Sequence, residues 1–131
     1  METLTDSSVI IAIERGQLSV AALRAIENSP LLLSAVSVSE LLHGVHRADE
    51  KHRMKREAFV EMILSEARTL DFDTRVARVH ARLSATLAAN GTPIGAHDLQ
   101  IGSTAIAHGL QILTRNPRDF ARIPGCEVVT V

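Results

Sequence analysis

Residues 97–120 read HDLQIGSTAIAHGLQILTRNPRDF, and the order of elements in this stretch decides the fold. The pattern predicts a helix over 97–108, closed by Gly109, followed by a strand over 111–114. Asn116-Pro117 then favours a turn, with Phe120 placed to anchor it in a core. One acid, Asp98, falls in the first turn of the helix, and another, Asp119, follows the strand beside Asn116. The arrangement recurs towards the N-terminus. Asp6 follows a short strand predicted at 3–5, and Glu40 opens a helix that follows a buried strand at 31–36. Acids repeated at these places suggest one shared edge of a parallel sheet. In open α/β sheets, ligands bind at the carboxyl ends of the strands.

Clustered carboxylates call for a cation, since two unit charges about 4 Å apart repel by roughly 4 kcal/mol at an effective dielectric near 20. Oxygen ligands without thiolates favour Mg²⁺ or Mn²⁺ over zinc. The residues therefore point to metal-dependent phosphodiester cleavage.

Further helices are predicted over 7–14, 19–28, 37–48, 51–65 and 73–90, with strands at 69–72 and 127–131. Ser19 is a plausible N-cap, Pro30 stops the second helix, and Gly91 ends the helix before it. Strands separated by helices, with no hairpin signal, imply an α/β chain. Its mostly parallel sheet of about five strands would be covered on both faces. An all-helical protein is the alternative, because the strands are short. No linker divides the chain, so residues 1–131 are expected to form one domain.

Composition excludes several classes. Trp and Tyr are absent and Phe occurs three times, which argues against base stacking on an aromatic platform. The single Cys126 rules out an internal disulfide and a Cys-based zinc site, and fits a reducing cytosol. No apolar run reaches membrane-spanning length and the N-terminus lacks a basic leader, so a soluble, cytoplasmic protein without a membrane partner is expected. The net charge of −1 gives no global case for nucleic-acid binding. Basic residues are nevertheless grouped: Arg75, Arg78 and Arg82 share a helix face, Lys51 to Arg56 form a second cluster, and Arg115, Arg118 and Arg122 surround the last acidic site. They are compatible with a phosphate backbone entering a negative site between positive banks.

Each acid also has a structural reading. Asp6 suits a helix N-cap, and Asp73 suits one for the helix at 73–90. Ser37-Val38-Ser39-Glu40 matches the S-x-x-E capping box, which would occupy the Glu40 carboxylate. Asp98 could serve the helix dipole, and Asp119 could cap its turn. Gly102, one turn after Asp98, is costly in a helix by about 1 kcal/mol and suggests a close approach to the backbone. Ser7 or Ser8 is placed to hydrogen-bond the carboxylates or metal waters. The six His residues form no metal-ligand pattern; His97 adjoins Asp98 and suits a surface or structural role more than substrate contact. No P-loop, GxGxxG, GxSxG or Cys-His pattern is present.

Four segments carry a resemblance: Thr5-Asp6-Ser7-Ser8-Val9-Ile10-Ile11, Ser37-Val38-Ser39-Glu40-Leu41, Asp98-Leu99-Gln100-Ile101-Gly102-Ser103-Thr104-Ala105 and Thr114-Arg115-Asn116-Pro117-Arg118-Asp119-Phe120. In order and spacing they resemble the signature blocks of PIN-domain ribonucleases, especially the VapC-type toxins of toxin–antitoxin pairs. The resemblance covers essentially the whole chain. It implies a three-layer α/β/α domain and Mg²⁺- or Mn²⁺-dependent cleavage of RNA by metal-activated water. Asp6, Glu40 and Asp98 fall on the family's three acidic positions and would hold the metal. The fourth position, often Asp, is Asn116, with Asp119 three residues later; either completes the catalytic set. Ser8, Arg115 and Arg118 are candidates for binding RNA. The resemblance also implies a homodimer and a cognate antitoxin. The alternative is a catalytically weak PIN-like module that binds RNA or protein, supported by the missing charge at Asn116. A receiver-like domain phosphorylated on Asp6 lacks the expected second acid and Lys.

Overall fold

Leu4, Leu32 and Ile112 lie side by side on three neighbouring strands, and this apolar row forms the centre of the sheet. The computed structural model describes residues 2–131. Its strands are β1 (Thr3–Thr5), β2 (Leu32–Ser34), β3 (Arg68–Leu70), β4 (Gln111–Thr114) and β5 (Val128–Thr130). All pair in parallel, in the order β3-β2-β1-β4-β5. The chain first builds outward from β1 to β3, then crosses back to lay β4 and β5 on the other side. The reversal puts a topological switch point between β1 and β4, where a crevice opens at the carboxyl ends of the strands.

The helices are α1 (Ser7–Glu14), α2 (Val20–Glu27), α3 (Ala35–Arg47), α4 (Glu50–Glu66), α5 (Thr74–Ala89), α6 (Ala96–Ala107) and the single turn α7 (Pro117–Phe120). They cover both faces, as the alternating side chains of a strand require. Leu32 joins Leu83, Ile101, Phe120 and Ile123 on one side. Its neighbour Leu33 joins Ile10, Leu41, Val45 and Val60 on the other. The result is the three-layer α/β/α architecture, and the all-helical alternative is excluded.

Caps set several boundaries. Ser19 Oγ accepts from Ala22 N at 3.1 Å and Asp73 Oδ1 from Val76 N at 3.0 Å, as their positions predict. Asp49 caps α4 in the same way through His52 N. The expected strand at 31–36 is shorter, because Ser34 is the N-cap of α3 and its Oγ accepts from Ser37 N at 3.0 Å. Ser37 is therefore inside the helix, and the capping-box reading of Glu40 does not hold. Gly102 is explained by packing: a Cβ there would lie 2.5 Å from Ile123 Cδ1, so the close approach is made by the core. Gly109, at φ 67°, permits the turn from α6 into β4.

Candidate active site at the sheet switch point

Asp6 leaves β1 at the switch point, with its backbone N–H donating to the Leu113 carbonyl of β4 at 2.9 Å. It has the extended backbone of an N-cap, yet its side chain caps nothing. Instead its Oδ2 accepts from Ser8 Oγ at 2.7 Å and from Thr114 Oγ1 at 2.8 Å. Asp6 is buried, and a buried polar group is costly unless it is hydrogen-bonded in this way. One oxygen is thus held by two hydroxyls, one from the first turn of α1 and one from the end of β4.

Glu40 reaches the same crevice from the second turn of α3. Its Oε1 accepts from Ser7 Oγ at 3.1 Å, and its Oε2 lies 3.4 Å from His97 Nδ1. Adjacent serines on α1 thus orient two different acids, Ser7 for Glu40 and Ser8 for Asp6. His97 is exposed, as the sequence suggests, but it also touches an acid of the site, which spacing alone does not reveal.

Asp98, in the first turn of α6, feels the whole cluster. Its carboxyl is pushed up from 3.8 to about 6, first by burial and then by the charges of Asp6, Asp119 and Glu40, with a side-chain hydrogen bond to Asp119 adding to the effect. Asp119 is the acid brought against Asp98, and its Oδ2 also accepts from Gly95 N at 3.1 Å. A Cβ on Gly95 would come within 3.6 Å of Asp119 and 3.8 Å of Asp98, so the residue before α6 lies against both carboxylates. Asn116 is exposed, and its backbone N–H donates to Thr114 Oγ1 at 3.0 Å. Nothing in the sequence singles out Thr114 beyond its place at the end of a strand. Its link to Asp6 depends on strands β1 and β4 being neighbours, which spacing along the chain does not show.

The basic candidates sit differently. Arg115 donates its backbone N–H to Ser8 Oγ at 3.1 Å, while its guanidinium reaches the Gln17 carbonyl after α1 at 3.3 Å. The guanidinium therefore braces a loop. Arg118 is exposed on α7. Arg56 pairs with Glu14 at 3.2 Å, and Arg53 Nη2 donates to the Ala48 carbonyl at the end of α3.

Among the described residues, no three His, Cys, Asp or Glu side chains are gathered closely enough to grip an ion alone. The carboxylates of Asp6, Glu40 and Asp119 are each oriented by a donor from Ser7, Ser8, Thr114 or the Gly95 amide. Their chemistry still fits a hard divalent cation. Mg²⁺ keeps several waters and takes one or two carboxylates directly, and Asp98 is flanked by the charges of Asp6, Asp119 and Glu40, a concentration of hard oxygen donors that suits such an ion.

Comparison with known proteins agrees with the fold. The sequence profile of the PIN domain matches residues 3–125. The chain is 39% identical to Ribonuclease VapC1 of Rickettsia felis, over 100% of this chain and 97% of the relative. The chain belongs to the PIN-domain family, among the VapC ribonucleases. The VapC-like fold extends to solved structures. DNA-bound VapBC from Salmonella typhimurium matches with TM-score 0.87 and 28% identity, over 99% of this chain and 98% of the other. VapBC-5 of Mycobacterium tuberculosis, a member of the VapBC family of toxin–antitoxin systems, matches with TM-score 0.75 and 29% identity, over 99% and 97%.

Proposed function

We propose that this VapC-type chain is an endoribonuclease toxin whose activity depends on Mg²⁺ or Mn²⁺. The observation that carries the reading is the electrostatic meeting of Asp98 with Asp6, Asp119 and Glu40 at the switch point. Asp6 and Asp98 would hold the ion, with Glu40 completing the acidic set. When bound, such an ion supplies an activated water and neutralises charge on the phosphoryl oxygens. The chain's own groups orient and position. Ser8 and Thr114 fix Asp6, Ser7 fixes Glu40, and Asp119 stands beside Asp98 as the fourth acid in place of Asn116. Ser8 and Arg118 remain candidates to meet the RNA directly, while Arg115 acts by holding the loop after α1. No side-chain nucleophile is needed.

The proposed partners are an antitoxin and a second copy of the chain. The VapBC neighbours support the first. Val9 and Ile10 are spent on the monomer core, but α2 has no buried residue at all. It overhangs a cleft of about 230 Å³ lined by Ala22, Ala25, Ile26, Leu31, Leu113 and Val129. Apolar surface of this kind is what a partner segment covers. No helix among the described residues is long and apolar enough to cross a membrane. The alternative, a module that binds RNA or protein without cleaving it, draws on Asn116 at a position that is often acidic. Ribonuclease assay with and without Mn²⁺ separates the two: ion-dependent cleavage supports the toxin, and binding without cleavage supports the module.

A further inference from the structure

Glu40, His43, Gly44 and Arg47 stand at spacings of three, four and seven residues, so they form one stripe along α3. The stripe begins at the acidic site and ends about 10 Å away along the helix axis. It is one wall of a groove of about 280 Å³ whose other lining includes Arg15 at the end of α1 and Arg56 on α4. Arg56 is engaged with Glu14. Among the described residues, Arg15 and Arg47 have no ion-pair partner, and both are exposed.

Gly44 is the unexplained member. It sits inside α3, where glycine is among the least favourable residues. Unlike Gly102, it is not required by packing, since a Cβ there would meet nothing within 4 Å. Nor is its backbone in the left-handed region. Gly44 lines the groove, and a side chain there would project into open space.

We infer that this groove is a phosphate track: it holds the backbone of single-stranded RNA leading away from the acidic centre, with Arg15 and Arg47 on the phosphates and Gly44 allowing close approach. The inference rests on the ribonuclease reading and deepens it. Charge complementarity favours RNA as the occupant. The groove opens on Glu40 at one end and presents cations beyond it, so a strand whose scissile phosphate sits at the acids passes next to positive charge. Phosphate contacts of this type position a strand without reading its bases.

The test is binding of a short mixed-sequence single-stranded RNA, labelled with fluorescein and followed by anisotropy in EDTA across a salt series. Arg15→Ala and Arg47→Ala are each expected to weaken binding severalfold and to flatten the slope of log affinity against log salt by about 0.7. Gly44→Leu is expected to weaken binding without lowering the melting temperature. Wild-type slopes in both arginine variants overturn the track, as does undiminished affinity in a folded Gly44→Leu protein. If the variants bind RNA normally but lose the product of the adjacent gene, the groove belongs to a protein partner and the inference is wrong. Wild-type protein that cleaves RNA while the variants bind normally leaves the nuclease reading standing. Wild-type protein that neither binds nor cleaves RNA removes both.

Discussion

Thr114 Oγ1 donates to Asp6 Oδ2 at 2.8 Å, joining the end of β4 to the end of β1 across the switch point. Both residues are buried, and 108 positions separate them in the chain. Leaving a buried carboxylate short of a donor costs about 1–3 kcal/mol. Thr114→Val is therefore expected to lower stability by about that amount and to weaken Mn²⁺ binding. Thr114→Ser should keep most of both, as urea denaturation and calorimetric titration can check. Equal stability of the valine and serine variants would show that the hydroxyl contributes nothing.

Asp98 predicts a trade between stability and activity. Its carboxyl is raised from 3.8 to about 6 in the folded, ion-free protein. Below about pH 4 both states are protonated and the shift has no effect; as pH rises from about 4 to 6, ionising the folded state costs more than ionising the unfolded chain. The ion-free fold thus loses stability through that window and stays weakened above it. Asp98→Asn removes the penalty. In EDTA near neutral pH the variant should be more stable than wild type by on the order of 1–2 kcal/mol, after allowing for solvent screening. The gap should close towards about pH 4. A variant less stable than wild type at neutral pH would contradict the electrostatic account.

Proton competition gives a second pH dependence. A carboxyl with a value of about 6 must lose its proton before it can hold an ion. Mn²⁺ affinity is expected to fall up to tenfold per unit as pH drops below about 6, and this dependence should be lost in Asp98→Asn. Titration calorimetry at several pH values reads it directly. A wild-type affinity flat across that range would remove Asp98 from the ion's ligands.

Asp119 and Asn116 make unequal claims on the fourth acidic position. Asp119 raises the Asp98 carboxyl and accepts from the Gly95 amide, whereas Asn116 touches Thr114 through its backbone. Asp119→Asn should therefore weaken Mn²⁺ binding and slow cleavage by about tenfold. Asn116→Ala should do neither, and Asn116→Asp should tighten the ion modestly. The reverse order of effects in a side-by-side assay would return the role to Asn116.

These particulars show what a linear reading can see. The alternation of helix and strand was legible because Gly91, Gly109, Ser19 and Asp73 punctuate it chemically. Asp6, Glu40 and Asp98 were legible as acids after strand ends. Their orientation was not. A capping pattern at Ser37 pointed Glu40 at its own helix, and only the competing cap at Ser34 releases it towards Ser7 and His97. Thr114 and Asp119 acquire their roles from the order of strands in the sheet and from the α7 turn, both set by tertiary packing. The destination of Arg115 was likewise hidden, since its contact is with the carbonyl of a residue 98 positions away.

The most direct test of the central claim is cleavage of single-stranded RNA by wild-type protein and Asp98→Asn, each with Mn²⁺ and with excess EDTA. The account predicts cleavage by wild type with Mn²⁺, its abolition by EDTA with recovery on adding the ion back, and at least about a tenfold loss in the folded variant. Wild-type cleavage that continues at full rate in excess EDTA, or a folded Asp98→Asn protein as active as wild type, would contradict it.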